Sequence, residues 1–302
     1  MSLSSLFTVE PTFLDKVETK LEQGHVVYFP TCPFPVPGDA DQEFLRQNLA
    51  QHLVRKNVSY HPEADAVRGL KTDSDTAKRV TGILRSHGEL VSNFLRSVAP
   101  ELTRDWRVAT CSFRPVEERG RKLSAHASNE LLHVDAGAYG ATHGDRILRF
   151  FVNLNPTEDR VWISKGPFSK LFPIYGRAAG FPAEGLGRKI DEGRLGKLFS
   201  NSLRRLSTVI PGLDHLFDTS PYDRAMRQFH NYMKDTAEFQ QTPDIERFVF
   251  KPFSAWLVFT DAVSHACLSG RYALVSTFIV PMRNCRLKSS VPFHILRGSV
   301  ED

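Results

Sequence analysis

NELLHVDAGAYGATHGDRILRFFVNLNP (129–156) carries the reading of the fold. Its second half, RILRFFVNLNP (146–156), is a run of branched and aromatic residues of strand length that a proline closes. Upstream, NELLHVDA (129–136) reads as another strand. VWISK (161–165) follows, and RVATCSFRPVE (107–117) precedes both. Strands resume in RFVFKPFSAWLVFTD (247–261), HACLSG (265–270) and RYALVSTFIVPM (271–282). Between the two strand blocks, residues 166–245 read as helix and loop, with helices expected over 190–206 and 222–239. The N-terminal third reads as mainly helical, with apolar spacing over 12–23, 41–56 and 75–99, and one buried strand in HVVYF (25–29). Helices, strands, a helical insertion and strands again predict an α+β chain. The expected architecture is a double-stranded β-helix (jelly-roll, cupin-like) core in one domain over 1–302. A helical flank covers 1–105, the β-core 106–165 and 246–285, and the insertion 166–245.

Composition removes several classes. The 302 residues are 41% hydrophobic and 24% charged, as in ordinary globular proteins, which argues against disorder, collagen and coiled coil. Lys and Arg total 39 and Asp and Glu 34, a formal charge of +5. That excess is too mild for a nucleic-acid-binding tail, but it suits an acidic substrate or an anionic surface. Cys32, Cys111, Cys267 and Cys285 show no paired spacing, so free thiols in a reducing compartment are expected. The opening MSLSSLFTVEPTFLDKVETK has neither the basic nor the long apolar region of a signal peptide. No window approaches a membrane span.

The chemistry sits in LLHVDA. Residues i and i+2 of a strand share a face, so His133 and Asp135 converge on one point. His265, after the hydrophobic run FSAWLVFTD, is placed to supply a second imidazole. Two histidines and one carboxylate form a facial triad that leaves adjacent positions open, and such a set suits non-haem Fe(II) binding a co-substrate and dioxygen together. An oxygenase of this kind needs a cation for the distal carboxylate of 2-oxoglutarate, and an arginine fork matches it. Arg149 is the first candidate and shares parity with Phe151, Asn153 and Asn155. Arg271 is the second, with Thr277 on its parity. Asn153 is a further candidate for the 2-oxoglutarate carboxylate. Arg146, on the opposite parity, is expected to point outward. His126 and His143 flank the triad strand within reach of a substrate. His215, His230 and Cys267 read as structural.

SFRPVEERGRKLSAHASNELLHVDA, GDRILRFFVNLNPTEDRVWI and VSHACLSGRYALVSTF resemble the Kdo hydroxylase family, the 3-deoxy-D-manno-oct-2-ulosonic acid 3-hydroxylases of Gram-negative bacteria. The resemblance is dense over 107–170 and 247–282. It implies an Fe(II)- and 2-oxoglutarate-dependent dioxygenase that hydroxylates C3 of Kdo in the lipopolysaccharide inner core, giving D-glycero-D-talo-oct-2-ulosonic acid (Ko), succinate and CO2. It also implies His133, Asp135 and His265 as iron ligands. The implied partner is a Kdo-containing lipid A precursor, met by a cytoplasmic protein bound peripherally to the inner face of the inner membrane. The sugar carboxylate and lipid A phosphates call for cations. Arg119, Arg121 and Lys122 in EERGRKLSAH are candidates, with His126 beside them. Arg194, Lys197, Arg204 and Arg205 in RLGKLFSNSLRR form either a solvated basic helix face or a glycolipid-facing lid. Two other functions compete: a cupin-type 2-oxoglutarate hydroxylase of protein side chains, and a non-catalytic sugar-binding β-helix protein.

Overall fold

The computed structural model describes residues 5–71, 74–121, 123–137, 140–191 and 220–298. The strands among them are β1 (Leu6–Thr8), β2 (Val26–Phe29), β3 (Val58–His61), β4 (Ala66–Arg68), β5 (Arg107–Arg114), β6 (Arg146–Asn153), β7 (Arg160–Ser164), β8 (Glu246–Phe250), β9 (Ala255–Phe259), β10 (Ala266–Ser269) and β11 (Ala273–Val280). The α-helices are α1 (Val17–Glu22), α2 (Asp39–Glu43), α3 (Ser74–Val98), α4 (Phe168–Tyr175), α5 (Pro221–Asp235), α6 (Ala237–Gln241) and α7 (Pro292–Arg297).

RILRFFVN forms β6 as its apolar run predicts, and every residue of it is buried. The strand lies inside an eight-stranded sheet ordered β1-β2-β9-β6-β11-β5-β3-β4. It pairs antiparallel with both β9 and β11. A three-stranded sheet, β10-β7-β8, accompanies the large one. Aromatic rings fill the space between the sheets. Phe250, Trp256 and Phe151 stack nearly parallel, with centroids 3.9 and 5.0 Å apart, and Trp162 meets Phe151 edge-on at 4.9 Å. On the other face, Phe150 joins Phe29, Phe34 and Phe94 under α3. The two phenylalanines of RFF therefore serve opposite layers. A strand covered on both faces has no polar side, which is why the sequence shows a continuous apolar run rather than alternation. Two packed sheets with an aromatic interior make the double-stranded β-helix that the strand order predicts.

Arg146 does point away from Arg149, but that side is not solvent. Its side chain is 1% exposed, with Nε donating to Asp261 Oδ2 at 2.6 Å and the guanidinium 4.1 Å from the Phe259 ring centre. The expectation of an outward arginine fails because helices and the C-terminal segment cover this face of the sheet as well.

The flank over 1–105 is less helical than its spacing suggests. The 12–23 stretch divides into a 3-10 turn (Pro11–Lys16) and α1. The 41–56 stretch breaks into α2, a π-helical turn (Phe44–Asn48) and a 3-10 turn (Leu49–His52). The flank also supplies β1, β2, β3 and β4, which extend the large sheet at both edges. β1, β3 and β4 have only three or four residues each and exist because they pair with a neighbour. The longest expectation holds, as α3 over Ser74–Val98. In the insertion, 222–239 forms α5 and α6. The expected helix over 190–206 falls outside the described residues, except that Ile190 and Asp191 close a 3-10 turn. With it go Arg194, Lys197, Arg204, Arg205 and His215. All four cysteines are free.

The loop after β5 is strapped to the small sheet. Buried Glu118 lies 3.6 Å from Arg160 and 3.4 Å from Arg121, and accepts a hydrogen bond from Asn129 at 3.1 Å. Burial alone would raise its carboxyl; Arg114, Arg160, Asn129 and Arg121 outweigh that and hold it below the usual carboxylate range.

Two outcomes follow from these buried charges. Asp261→Asn leaves Arg146 buried without a counter-charge and should cost about 3–5 kcal/mol in urea unfolding. For Glu118 the folded state lowers the pKa, so on acidification the unfolded chain takes the proton first. Its contribution is then full above the ordinary carboxylate range and is lost as pH falls through the lowered folded value. The stability gap between wild type and Glu118→Gln should therefore be large at pH 7 and shrink at lower pH. An equal gap at both pH values would contradict this account.

Candidate metal centre

The segment around HVD is extended but is not the full strand expected over 129–136. One bridge joins it to the second strand block, His133 to His265. His133 N–H donates to His265 O at 3.1 Å, and His265 N–H returns to His133 O at 2.8 Å. Asp135 N–H donates to Thr260 O at 2.8 Å. Side chains satisfy the remaining backbone. The Gln240 amide accepts from Leu132 N–H at 2.9 Å and donates to Leu132 O at 3.0 Å, and His230 Nδ1 donates to Val134 O at 2.6 Å. Glutamine and histidine stand where a neighbouring strand would, so strand-like alternation survives without a strand. Leu132 and Val134 enter the core, and His133 and Asp135 turn the other way.

His133, Asp135 and His265 converge. One ligand atom from each lies within 4.8 Å of the other two, and all three residues are buried. His133 Nε2 is 3.7 Å from Asp135 Oδ1. The Nδ1 of His133 meets Leu131 O at 2.7 Å, and that of His265 meets Val263 O at 2.9 Å. A carbonyl only accepts, so each Nδ1 carries the proton and each Nε2 keeps a free lone pair. Trp162 stacks on the His265 ring, centroids 5.1 Å apart. Burial foremost, then the neighbouring His265, pushes His133 well below the ordinary imidazole range, with Asp135 opposing. Burial also lowers His265, again against Asp135. Both rings are thus neutral and ready to bind a cation at neutral pH. Two neutral imidazoles and a carboxylate are the donor set of non-haem Fe(II) sites.

Arg149 bears directly on this set. Its guanidinium lies 3.1 Å from Asp135 Oδ2, both side chains being buried. Burial alone would raise the Asp135 carboxyl, but Arg149 first, then His265 and His133, hold it far below the usual carboxylate range. Sheet register aligns Arg149 with Thr277, and Thr277 with Thr110. The hydroxyls of Thr277 and Thr110 are buried and have no hydrogen-bond partner. One fixed cation beside two unsatisfied buried hydroxyls fits a carboxylate ligand such as that of 2-oxoglutarate. Thr110 escaped the sequence reading, because only the register places it in this row.

Other expected residues lie elsewhere. Asn153 is fully buried and engaged internally: Nδ2 donates to Glu158 O at 3.0 Å and Phe250 O at 3.1 Å, and Oδ1 accepts from Asn155 N–H at 3.1 Å. It is a loop organiser with nothing left for a ligand. Arg271 sits before β11, beyond the end that pairs with Asn153, half-exposed and 3.4 Å from Glu158. It is remote from Arg149, since parity fixes a face and not a position along the strand. His126 is exposed and contacts Asp235 at 2.8 Å. His143 is buried, and Arg119 is exposed. Lys122 lies outside the described residues. Lys234 went unnoticed in the sequence. Its buried amine donates to His126 O at 2.9 Å and Ser128 O at 2.8 Å, and burial pulls it down to about 8. His230, whose ring meets His133 at 5.1 Å, keeps the structural role expected of it through its bond to Val134.

Known proteins match this chain along most of its length. The family model for 3-deoxy-D-manno-oct-2-ulosonic acid (Kdo) hydroxylase matches residues 7–301. Among solved structures, the Kdo hydroxylase KdoO, a non-heme Fe(II) alphaketoglutarate dependent dioxygenase, is similar in its complex with cobalt(II). That pair is 28% identical, covers 99% of each chain and has a TM-score of 0.79. The same enzyme with alphaketoglutarate and Fe(III) is 28% identical over 95% of this chain and 92% of its own, with a TM-score of 0.76. Among curated proteins, none matches. The fold, the triad and the family model over nearly the whole chain agree: this chain belongs to the Kdo hydroxylase family.

Proposed function

We propose that the chain is an Fe(II)- and 2-oxoglutarate-dependent dioxygenase that hydroxylates C3 of Kdo in a lipid A-linked inner core, giving Ko. One observation carries the reading. A complete two-histidine, one-aspartate set stands beside a buried Arg149–Thr277–Thr110 row, in a chain of the Kdo hydroxylase family. His133 and His265 would hold iron through Nε2 and Asp135 through its carboxylate. Bound there, Fe(II) supplies dioxygen activation coupled to the conversion of 2-oxoglutarate into succinate and CO2, with one oxygen atom passing to the sugar.

The protein's residues supply placement. Arg149 exchanges Asp135 for the distal carboxylate of 2-oxoglutarate, and the Thr277 and Thr110 hydroxyls donate to the same oxygens. Leu131 O and Val263 O keep each imidazole in its ligating tautomer, and Trp162 holds the His265 ring. The Phe250–Trp256–Phe151 stack excludes water from the interior between the sheets. The sugar's anionic groups are met by Arg119 and Arg121 of the loop after β5, which Glu118 tethers to the small sheet. Peripheral attachment to the cytoplasmic face of the inner membrane belongs to this reading. The formal charge of +5 favours an anionic surface, and among the described residues no helix is long and apolar enough to cross a membrane.

Purified protein with Fe(II), 2-oxoglutarate and Kdo2-lipid A should form Ko and succinate in equal amounts. His265→Ala should abolish both products and weaken Mn(II) binding by at least about a hundredfold in a metal titration. Arg149→Met should raise the KM for 2-oxoglutarate by about tenfold or more, the loss of a charged hydrogen-bond partner. Succinate formation stimulated by a peptide, with Kdo2-lipid A left unchanged, would overturn the substrate.

A further inference from the structure

Two loops leave one end of the large sheet side by side. Val58 opens β3 opposite Phe113, the residue before the end of β5, and the two strands are antiparallel. The chain entering β3 and the chain leaving β5 therefore run together. The entering loop is LVRKN (53–57) and the leaving loop is PVEERGRKL (115–123). Lys56 of the first lies within electrostatic reach of Glu118 and Arg121 of the second.

Side chains on these loops are sorted with apolar groups and cations outward and carboxylates inward. Val54 is 58% exposed, and Val116 and Leu123 are each 39% exposed. Eight large apolar side chains are exposed among the described residues, so two short loops hold three of them. Arg55, Lys56 and Arg119 are exposed as well. The first loop has no acid. In the second, Glu118 is buried, and Glu117 accepts from Gly270 N–H at 2.6 Å and Arg119 N–H at 3.0 Å. Glu130, of the next segment, accepts from Gly120 N–H at 3.1 Å.

Water alone disfavours bare aliphatic groups on a loop tip. Aliphatic groups beside cations, with acids withdrawn, match a surface that offers hydrocarbon beneath a layer of negative charge. Size separates a bilayer from a protein partner. Loops of five and nine residues fall short of the roughly 20–30 residues a side that a stable protein interface takes, but a few side chains suffice to enter a headgroup layer. The loops also adjoin the chain that carries the triad. Asn129, whose side chain donates to Glu118, accepts Cys267 N–H at its own carbonyl at 2.7 Å, two residues beyond His265.

We propose that loops 53–57 and 115–123 are the surface that rests on an anionic phospholipid bilayer. Val54, Val116 and Leu123 enter among the headgroups, and Arg55, Lys56 and Arg119 face the lipid phosphates. This assignment rests on the reading of the chain as a peripheral enzyme of a lipid-linked sugar, and it names the face. Resting on these loops turns the triad segment toward the leaflet that holds the substrate, and confining both to one surface raises the local concentration of sugar at the site.

Flotation with vesicles of equal parts phosphatidylglycerol and phosphatidylcholine tests the assignment. Wild type should float with them, and should float less with phosphatidylcholine alone or in concentrated salt. The triple variant Val54→Ser, Val116→Ser, Leu123→Ser should bind at least about tenfold more weakly. Arg55→Gln should bind about fivefold more weakly, the share of one cation near an anionic leaflet. All four sites are exposed, so melting temperatures should stay within about 3 °C of wild type. Leu14→Ser with Ile174→Ser, exposed on other parts of the molecule, should bind as wild type does. Activity separates docking from chemistry. The triple variant should match wild type on the methyl glycoside of Kdo in solution, and its KM for Kdo2-lipid A in the vesicles should rise about tenfold. Equal vesicle binding by wild type and the triple variant overturns the assignment. So does loss of binding in the Leu14/Ile174 variant in its place, or a wild type that stays in solution with every vesicle. If wild type forms Ko from neither substrate, the functional reading falls, and flotation still decides the surface by itself.

Discussion

A strand covered on both faces can hold a charge only against another charge, and β6 holds two. Arg146 goes to the helical side and meets Asp261; Arg149 goes to the barrel side and meets Asp135. Desolvating a guanidinium costs several kcal/mol unless a carboxylate faces it at close range. Both pairs tie β6 to chain from another part of the barrel. Asp261 follows β9, which pairs with β6, and Asp135 lies in the segment bridged to His265. The same requirement thus acts structurally on one face. On the other it leaves the carboxylate of the two-histidine, one-aspartate set and a buried guanidinium in contact.

Much of this was legible in the sequence because it depends on local pattern. The run RILRFFVN has one plausible conformation, and its parity alone sends Arg146 and Arg149 apart. HVD with a later His265 announces a ligand set whatever the exact backbone, since alternation persists even where Gln240 and His230 replace a neighbouring strand. What stayed hidden depends on register. Thr110 gains its place only through the alignment of β5 with β11. Asn153 shares a face with Arg149 and Arg271 precedes the last strand, but neither fact says how far along the sheet a residue sits. The small strands VSYH and AVR are too short to stand out in the sequence, although VSYH alternates in burial, and they take shape from the partner they border.

The centre carries charge inside the barrel and not only at its rim. The aromatic stack, the row of one arginine and two hydroxyls, the triad and the Glu118–Arg160 pair are all buried. Electrostatic attraction is strong where water is scarce and weak where it is plentiful. Arg149 and Arg160 accordingly each have a carboxylate close by, Asp135 at 3.1 Å and Glu118 at 3.6 Å.

The backbone bridge between His133 and His265 has a consequence for the life of the protein in a cell. The two imidazoles are brought together by amide hydrogen bonds, and their tautomers are set by Leu131 and Val263. Folding thus finishes the pocket before any ion arrives. A finished pocket of nitrogen and oxygen donors ranks divalent ions by intrinsic affinity, and on that scale ferrous iron stands below nickel, copper and zinc. Nothing in the donor set selects iron, so correct metallation falls to the supply of each ion around the newly made chain. The fraction of active enzyme then reports the metal economy of its compartment as much as the quality of its fold.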